Sequence, residues 1–158
     1  MKPVKLNDIV VHLDCLMDGW KVYYNKKTGQ ITEVQVECLA IIEDSDEEDD
    51  FGEYSGWERE AINEAIDILY NWNDYIELPD RYEIHEYSIM EEFCNSIEDA
   101  RLSNKLCNAI SGRGAFRRFK DLIIRHDLED SWYAYKHQSI VQIAREWCED
   151  NKIPLVEE

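Results

Sequence analysis

The residues whose types and spacing come closest to doing chemistry are the cations of one short stretch, Ser111-Gly-Arg-Gly-Ala-Phe-Arg-Arg-Phe-Lys120. Between residues 101 and 126, seven Lys or Arg stand against Asp121 alone, a local +6 in a chain of net charge −18, so the rest carries −24. The chemistry such a stretch can do is anion capture. Arg113, Arg117 and Arg118 offer planar forks that match carboxylate or phosphate geometry, and Gly112 and Gly114 let a ligand come close to the backbone. A helix opening at Gly114 would add unpaired leading amides and the positive end of its dipole. The Gly-x-x-x-x-Gly-Lys-Ser/Thr spacing of a nucleotide loop is absent.

At 100° per residue from Arg113, Leu122, Ala115, His126, Phe119, Ile123 and Phe116 fall in one arc of about 180° to 300°. Lys120, Arg113, Arg117, Arg125 and Arg118 fall in the opposite arc. The expectation is a helix with an aromatic flank in the core and a cationic flank in solvent. The competing reading is internal neutralisation, since the chain has 35 Asp and Glu and Arg117 stands one turn before Asp121. A helix, a short glycine-containing turn and a basic second helix over 99–126 also outline a helix-turn-helix. Against nucleic acid stands the strong negative charge of the remainder, which repels polyanions unless a local patch overcomes it.

Other chemistry is poorly represented. The histidines at 12, 85, 126 and 137 are far apart, and His126 is expected as a hydrogen-bonded core imidazole. His85, between Glu83 and Glu86, has acids nearby but no metal-binding spacing. Gly-x-Ser-x-Gly, His-Glu-x-x-His and Gly-x-Gly-x-x-Gly are all missing, so no cofactor is expected. The cysteines at 15, 38, 94, 107 and 148 form an odd, scattered set of structural thiols suited to a reducing compartment. Trp132, Tyr133 and Tyr135 form either a stacking surface or core, with at least two expected in the core.

The elements that must position these residues can be read along the chain. Leu6, Ile9, Val10, Leu13 and Met17 recur at helical spacing before Gly19. Residues 21–25 and 31–36 flank Lys26-Lys-Thr-Gly29 as a β-hairpin. Glu43-Asp-Ser-Asp-Glu-Glu-Asp-Asp50 holds seven carboxylates in eight positions and reads as a solvated loop. A helix from Trp57 carries Ala61, Ile62, Ala65, Ile66, Leu69 and Trp72 on a broad apolar face, and Tyr75-Ile-Glu-Leu78 is extended before Pro79. Ser88-Ile-Met-Glu91 has the pattern of a capping box, followed by a stripe of Ile89, Met90, Phe93, Cys94 and Ile97. A helix begins near Asp99, with Gly112 as a left-handed stop. Gly114 opens the basic helix, and a last helix from about Glu129 to Asp150 is expected to bury Tyr133, Ile140, Ile143, Ala144 and Trp147.

The fold class is therefore mainly α (α+β): about five to six helices with a small N-terminal β-hairpin. The expected organisation is a single domain over 1–158, with helix and hairpin in 1–42, an acidic loop in 43–56 and a helical core in 57–158. No stretch approaches the roughly 20 apolar residues of a membrane span, and the opening Met1-Lys-Pro-Val-Lys-Leu lacks a signal's apolar core, so a cytoplasmic protein is expected.

Val4-Lys-Leu-Asn-Asp-Ile9, Asn25-Lys-Lys-Thr-Gly29, Leu78-Pro, Glu86-Tyr-Ser-Ile-Met-Glu-Glu-Phe93, Gly112-Arg-Gly-Ala-Phe-Arg-Arg-Phe-Lys-Asp121 and Glu129-Asp-Ser-Trp-Tyr133 resemble a bacterial family, the uncharacterised protein family 0158. The resemblance runs along the chain and implies a shared fold. It brings no activity and no catalytic residues with it.

From the residues themselves, the expected function is non-enzymatic binding or regulation, with Arg113, Arg117, Arg118, Lys120, Arg125, Gly112 and Gly114 engaging an anionic ligand or an acidic protein surface. Two alternatives stay open. One is an enzyme acting on a phosphorylated small molecule, with the Gly112 to Arg118 turn holding phosphate and His85 or a nearby carboxylate moving protons. The other is nucleic-acid regulation through the helix-turn-helix outline.

Overall fold

The computed structural model describes residues 1–46 and 50–157. Residues 47–49 of the acidic block therefore lie outside the described residues. The chain is mainly helical with a small antiparallel sheet, and it divides into two compact units, 1–80 with 144–158, and 81–143.

In the first unit, β1 (Val4–Lys5) leads into α1 (Leu6–Asp14), which buries Leu6, Ile9, Val10 and Leu13. The helix stops sooner than its spacing implied. Met17 is 54% exposed, because it sits in the turn where Trp20 N donates to Met17 O and the chain reverses. The hairpin forms as expected from β2 (Trp20–Asn25) and β3 (Ile31–Gln35), with Tyr24 opposite Ile31 and Trp20 opposite Gln35. Asn25 shapes its turn by accepting from Lys27 N at 2.9 Å, and Gly29 closes it at φ +77°. A Cβ on Gly29 would stand 2.7 Å from Pro3 O, so only glycine fits.

Helix α2 (Val36–Glu43) departs from the sequence pattern, which extends the second hairpin strand to Val36 and marks no helix in the apolar run after it. It buries Cys38, Leu39 and Ile42 in a cluster with Tyr23 and Val34 of the sheet and Ile62, Ala65 and Ile68 of α3 (Trp57–Tyr70). Trp72, expected on the α3 face, lies past that helix's end and is 52% exposed. The extended segment before Pro79 is β4 (Tyr75–Glu77), the third strand of the order β3-β2-β4. Trp147 packs edge-on against Tyr24 and donates from Nε1 to Glu77 O at 3.1 Å. The terminal strand, here β5 (Leu155–Val156), pairs parallel to β1.

The second unit contains α4 (Arg81–Ile84), α5 (Glu86–Ser96), α6 (Ala100–Ala109), α7 (Ala115–Arg125) and the first part of α8 (Glu129–Asp150). The capping box at Ser88 does not form. Helix α5 starts three residues earlier, after His85 in a left-handed conformation, and the Ser88 hydroxyl bonds His85 Nδ1 instead. Asp99 does cap α6, accepting from Arg101 N at 3.0 Å and Leu102 N at 3.3 Å. The core is aromatic: Phe93 meets Phe119, Trp132 and Tyr135 at centroid distances of 6.0, 5.3 and 5.5 Å, all edge-on. Such pairs contribute about 0.5–1.5 kcal/mol each beyond area burial. Tyr133, expected in this core, is 57% exposed, since Trp132 takes the inward direction and the next residue turns about 100° away.

Candidate functional site

The basic helix is held by the turn before it. Helix α6 ends at Ala109, Ile110 is buried, and Ser111 to Gly114 reverse the chain with Gly112 at φ +77° and Gly114 at φ +76°. Gly112 faces open space, so its backbone angle alone requires glycine. Tyr87 anchors the turn from α5, its hydroxyl donating to Ile110 O at 2.9 Å.

Arg118 is the second anchor. Its Nε donates to Ala109 O at 2.7 Å, one Nη to Ser111 O at 2.7 Å, and the other to Arg113 O. Three of the five guanidinium N–H donors are thereby committed to carbonyls that the end of α6 and the turn would otherwise leave to water. A Cβ on Gly114 would come 3.0 Å from Arg118 Nη1, so the glycine also makes room for this clamp. Arg118 is exposed, but its polar end is bound within the fold.

The remaining cations stand differently. Arg113, Arg117, Lys120 and Arg125 are exposed, and among the described residues none forms an ion pair. Asp121, one turn after Arg117, is also exposed and without an ion pair among the described residues. The inner flank is Ala115, Phe119, Leu122 and Ile123, all buried.

The separation into apolar and cationic arcs needs correction at three positions. Phe116 is 45% exposed and Ile124 is 60% exposed. Ile124 falls at about 20° on the same wheel, between Arg113 and Arg117, so the angle arithmetic contains it, although hydrophobicity alone hides it. His126 is half-buried at the helix end, with its ring nitrogen Nε2 3.4 Å from Lys105 Nζ, and is not a core imidazole. The outer surface of α7 is thus a mixed patch of cations around two apolar side chains.

The leading amides of α7 have no side-chain cap, and its first turn contains no acid. Arg117 and Arg118 stand where the helix dipole disfavours positive charge, at a typical cost of about 0.3–1 kcal/mol per charge at the surface. Arg118 offsets that cost through its three carbonyls. Arg117 has no such return.

The other residues considered for chemistry do not join this patch. The His85 ring is engaged with Ser88, and among the described residues no three His, Cys, Asp or Glu are arranged to hold a metal ion. Trp132 and Tyr135 contribute to the aromatic core, leaving Tyr133 as the exposed one of the three. The five thiols are free. Burial pushes the Cys94 thiol up to about 12 and the Cys148 thiol up to about 11, which keeps both protonated and unreactive near neutrality. No helix among the described residues is long and apolar enough to cross a membrane.

Fold and surface together define a mainly helical protein that presents an arginine-rich helix from an aromatic core. The sequence profile of an uncharacterised protein family, UPF0158, matches residues 36–158, and the chain belongs to that family. The match begins at Val36, after the hairpin. It is similar to the UPF0158 protein PA5073 of Pseudomonas aeruginosa, with 30% identity over 66 residues. That alignment covers 41% of this chain and 43% of the relative, so less than half of the relative is spanned. No solved structure matches the chain.

Proposed function

We propose that the chain is a non-enzymatic binding protein whose α7 surface docks on an acidic protein face. The observation that carries this reading is the unpaired state of Arg113, Arg117, Lys120 and Arg125 around the exposed Phe116 and Ile124. Cations that the fold does not need, placed against the helix dipole at Arg117, cost stability and return nothing within the chain. A partner that supplies carboxylates recovers that cost. Arginine and aromatic side chains are enriched at protein interfaces, and the two apolar groups give such a partner something to desolvate.

The apolar pair is what favours a protein over a phosphate. Phosphate contacts are made by cations, hydroxyls and amides, and have no use for Ile124 or Phe116. Arg118, the fork that folds back onto the turn, has three of its five donors committed already, which weakens the turn as a phosphate cradle. The net charge of −18 repels any acidic partner at long range, so the patch acts within a Debye length of about 8–10 Å.

The test uses three probes on the full chain: an amphipathic Glu/Leu helical peptide, inorganic phosphate and a short DNA duplex. The peptide is expected to bind and to weaken with salt. Reversal of four charges (R113E, R117E, K120E, R125E), with Arg118 retained, is expected to cost about tenfold or more in affinity, near 1.4 kcal/mol. The pair F116A/I124A is expected to weaken the peptide as well. Tighter binding of duplex or phosphate than of peptide, unaffected by F116A/I124A, overturns the reading.

A further inference from the structure

The sheet of the first unit has one open edge. Asn25 N donates to Gln30 O and Val36 N to Gly19 O, which sets the antiparallel alternation: Lys21 with Val34 and Tyr23 with Thr32 exchange hydrogen bonds. Ile31 and Glu33 then turn their amides and carbonyls away from β2, and Gln35 its amide; the Gln35 carbonyl opens helix α2. Strand β3 is the outer strand of the order β3-β2-β4, and among the described residues no backbone partner takes up those groups. Edges of this kind are usually blunted by charged side chains, proline or a bulge; the outward positions here carry no lysine, proline or bulge, and their one charge, Glu33, is held by His12.

Beside that edge runs a groove. One cleft of about 170 Å³ lies between β3 and the Trp57, Glu60, Ala61 and Glu64 face of α3, and a second of about 320 Å³ continues from Trp57 toward Glu37 and Glu58. The α3 positions recur at i, i+3, i+4 and i+7, so one helix face forms the wall. Glu60 and Glu64 are exposed, and among the described residues neither has an ion pair. Trp57 is 70% exposed. The Glu33 carboxylate is taken by His12 Nδ1 at 2.6 Å, while its backbone remains at the open edge.

We propose that this edge and groove receive an extended basic peptide as an added strand, its backbone paired with Ile31, Glu33 and the Gln35 amide and its Lys or Arg side chains with Glu60 and Glu64. Strand addition takes its affinity from main-chain hydrogen bonds and its selectivity from the side-chain pockets alongside. Here the pockets are acidic and carry a tryptophan face able to hold a cation. Charge also selects against a second copy of this chain, because antiparallel pairing of two β3 edges would bring both sets of carboxylates together. The proposal concerns a different surface from α7 and stands or falls independently of it.

The probe is an alternating Lys-Val peptide of about ten residues, long enough to cover the strand. It is expected to bind the full chain with slowed amide exchange at Ile31, Glu33 and Gln35. The same peptide N-methylated at alternate residues cannot pair and is expected to lose about tenfold or more in affinity. A Glu-Val peptide is expected not to bind. On the protein side, E60K/E64K is expected to abolish binding. E33P removes an outward amide without touching the β2 ladder and is expected to abolish it too, whereas E33A, which shares the loss of the His12 contact but keeps its amide, retains it. Equal binding of the N-methylated peptide, exchange protection elsewhere than β3, or self-association lost in E33P would each overturn the proposal.

Discussion

Helices α3 and α7 begin in the same way and end up with opposite surfaces. Each follows a glycine at positive φ, Gly56 at +64° and Gly114 at +76°, and neither has a side-chain cap. In each, an arginine of the first turn reaches back to clamp the preceding loop: Arg59 donates to Phe51 O at 2.9 Å and to Asp50 O, as Arg118 does to Ala109, Ser111 and Arg113. The difference lies in what surrounds the clamp. The first turn of α3 carries Glu58 and Glu60, which suit the helix dipole, whereas that of α7 carries no acid and has Arg117 in addition to its clamp. A clamping arginine is therefore a device of the fold that also serves the acidic half of the chain. What distinguishes α7 is the cations left over after the clamp is made.

The largest expected effect tests what the outer cations stand on. Phe119 is 1% exposed and meets both Phe93 and Trp132, so Phe119→Ala is expected to cost about 3–5 kcal/mol in urea unfolding. A cost below about 1 kcal/mol would mean that α7 does not depend on this core.

The next effect bears on the two clamps. Arg59→Ala and Arg118→Ala are each expected to lose about 1–2 kcal/mol, from charge-assisted bonds to carbonyls that are partly open to water. Arg117→Ala is expected to stay within about 0.5 kcal/mol of the parent. Equal losses at Arg117 and Arg118 would erase the distinction between clamp and surplus.

Alkaline pH probes one buried thiol in each unit. Cys94 in the second unit is pushed from an ordinary 9.0 up to about 12, and Cys148 in the first to about 11, in both cases by burial. In the unfolded chain both thiols ionise near the ordinary value, so above it the unfolded state holds fewer protons than the folded one. Stability is then lost as pH rises from about 9 toward 11 or 12. The urea midpoint is expected to fall between pH 8 and 10, and Cys94→Ala is expected to flatten part of that fall. A midpoint that rises over this range contradicts the assignment.

The smallest effects come from relieving crowded charge. Partial desolvation and the neighbouring Glu60 push the exposed Glu64 carboxyl above its ordinary value, so that its contribution to stability is lost as pH rises and it ionises. Glu64→Gln and Arg117→Gln are both expected to raise the melting temperature slightly, by less than about 0.5 kcal/mol in stability. A clear drop in either would reveal a partner within the chain.

The part of the fold legible in the sequence was the part written in local chemistry. The start of a helix at Asp99, Gly112 as a left-handed stop, Gly114 as the opening of α7, and the span of α8 all rest on residues that act on their own neighbours. Helix α2 escaped because a short continuous apolar run carries no period that separates strand from helix, and its packing on α3 decides the matter. The Ser88 pattern misled because the His85 backbone offered an earlier start, and a motif does not state where a helix begins. At the candidate surface, charge and helical angle placed Arg113, Arg117, Lys120 and Arg125 together. The commitment of Arg118 to three carbonyls depends on how the turn folds back, which no wheel displays.

That commitment is also the most direct point of attack. Hydrogen exchange at the arginine Nε–H groups of a nitrogen-labelled sample reads each guanidinium separately. The structure predicts slow exchange at Arg118, whose Nε donates to Ala109 O, and fast exchange at Arg113, Arg117 and Arg125. Slow exchange at Arg117 or Arg125 in the isolated chain, or fast exchange at Arg118, would contradict the claim that α7 presents cations its own fold does not use.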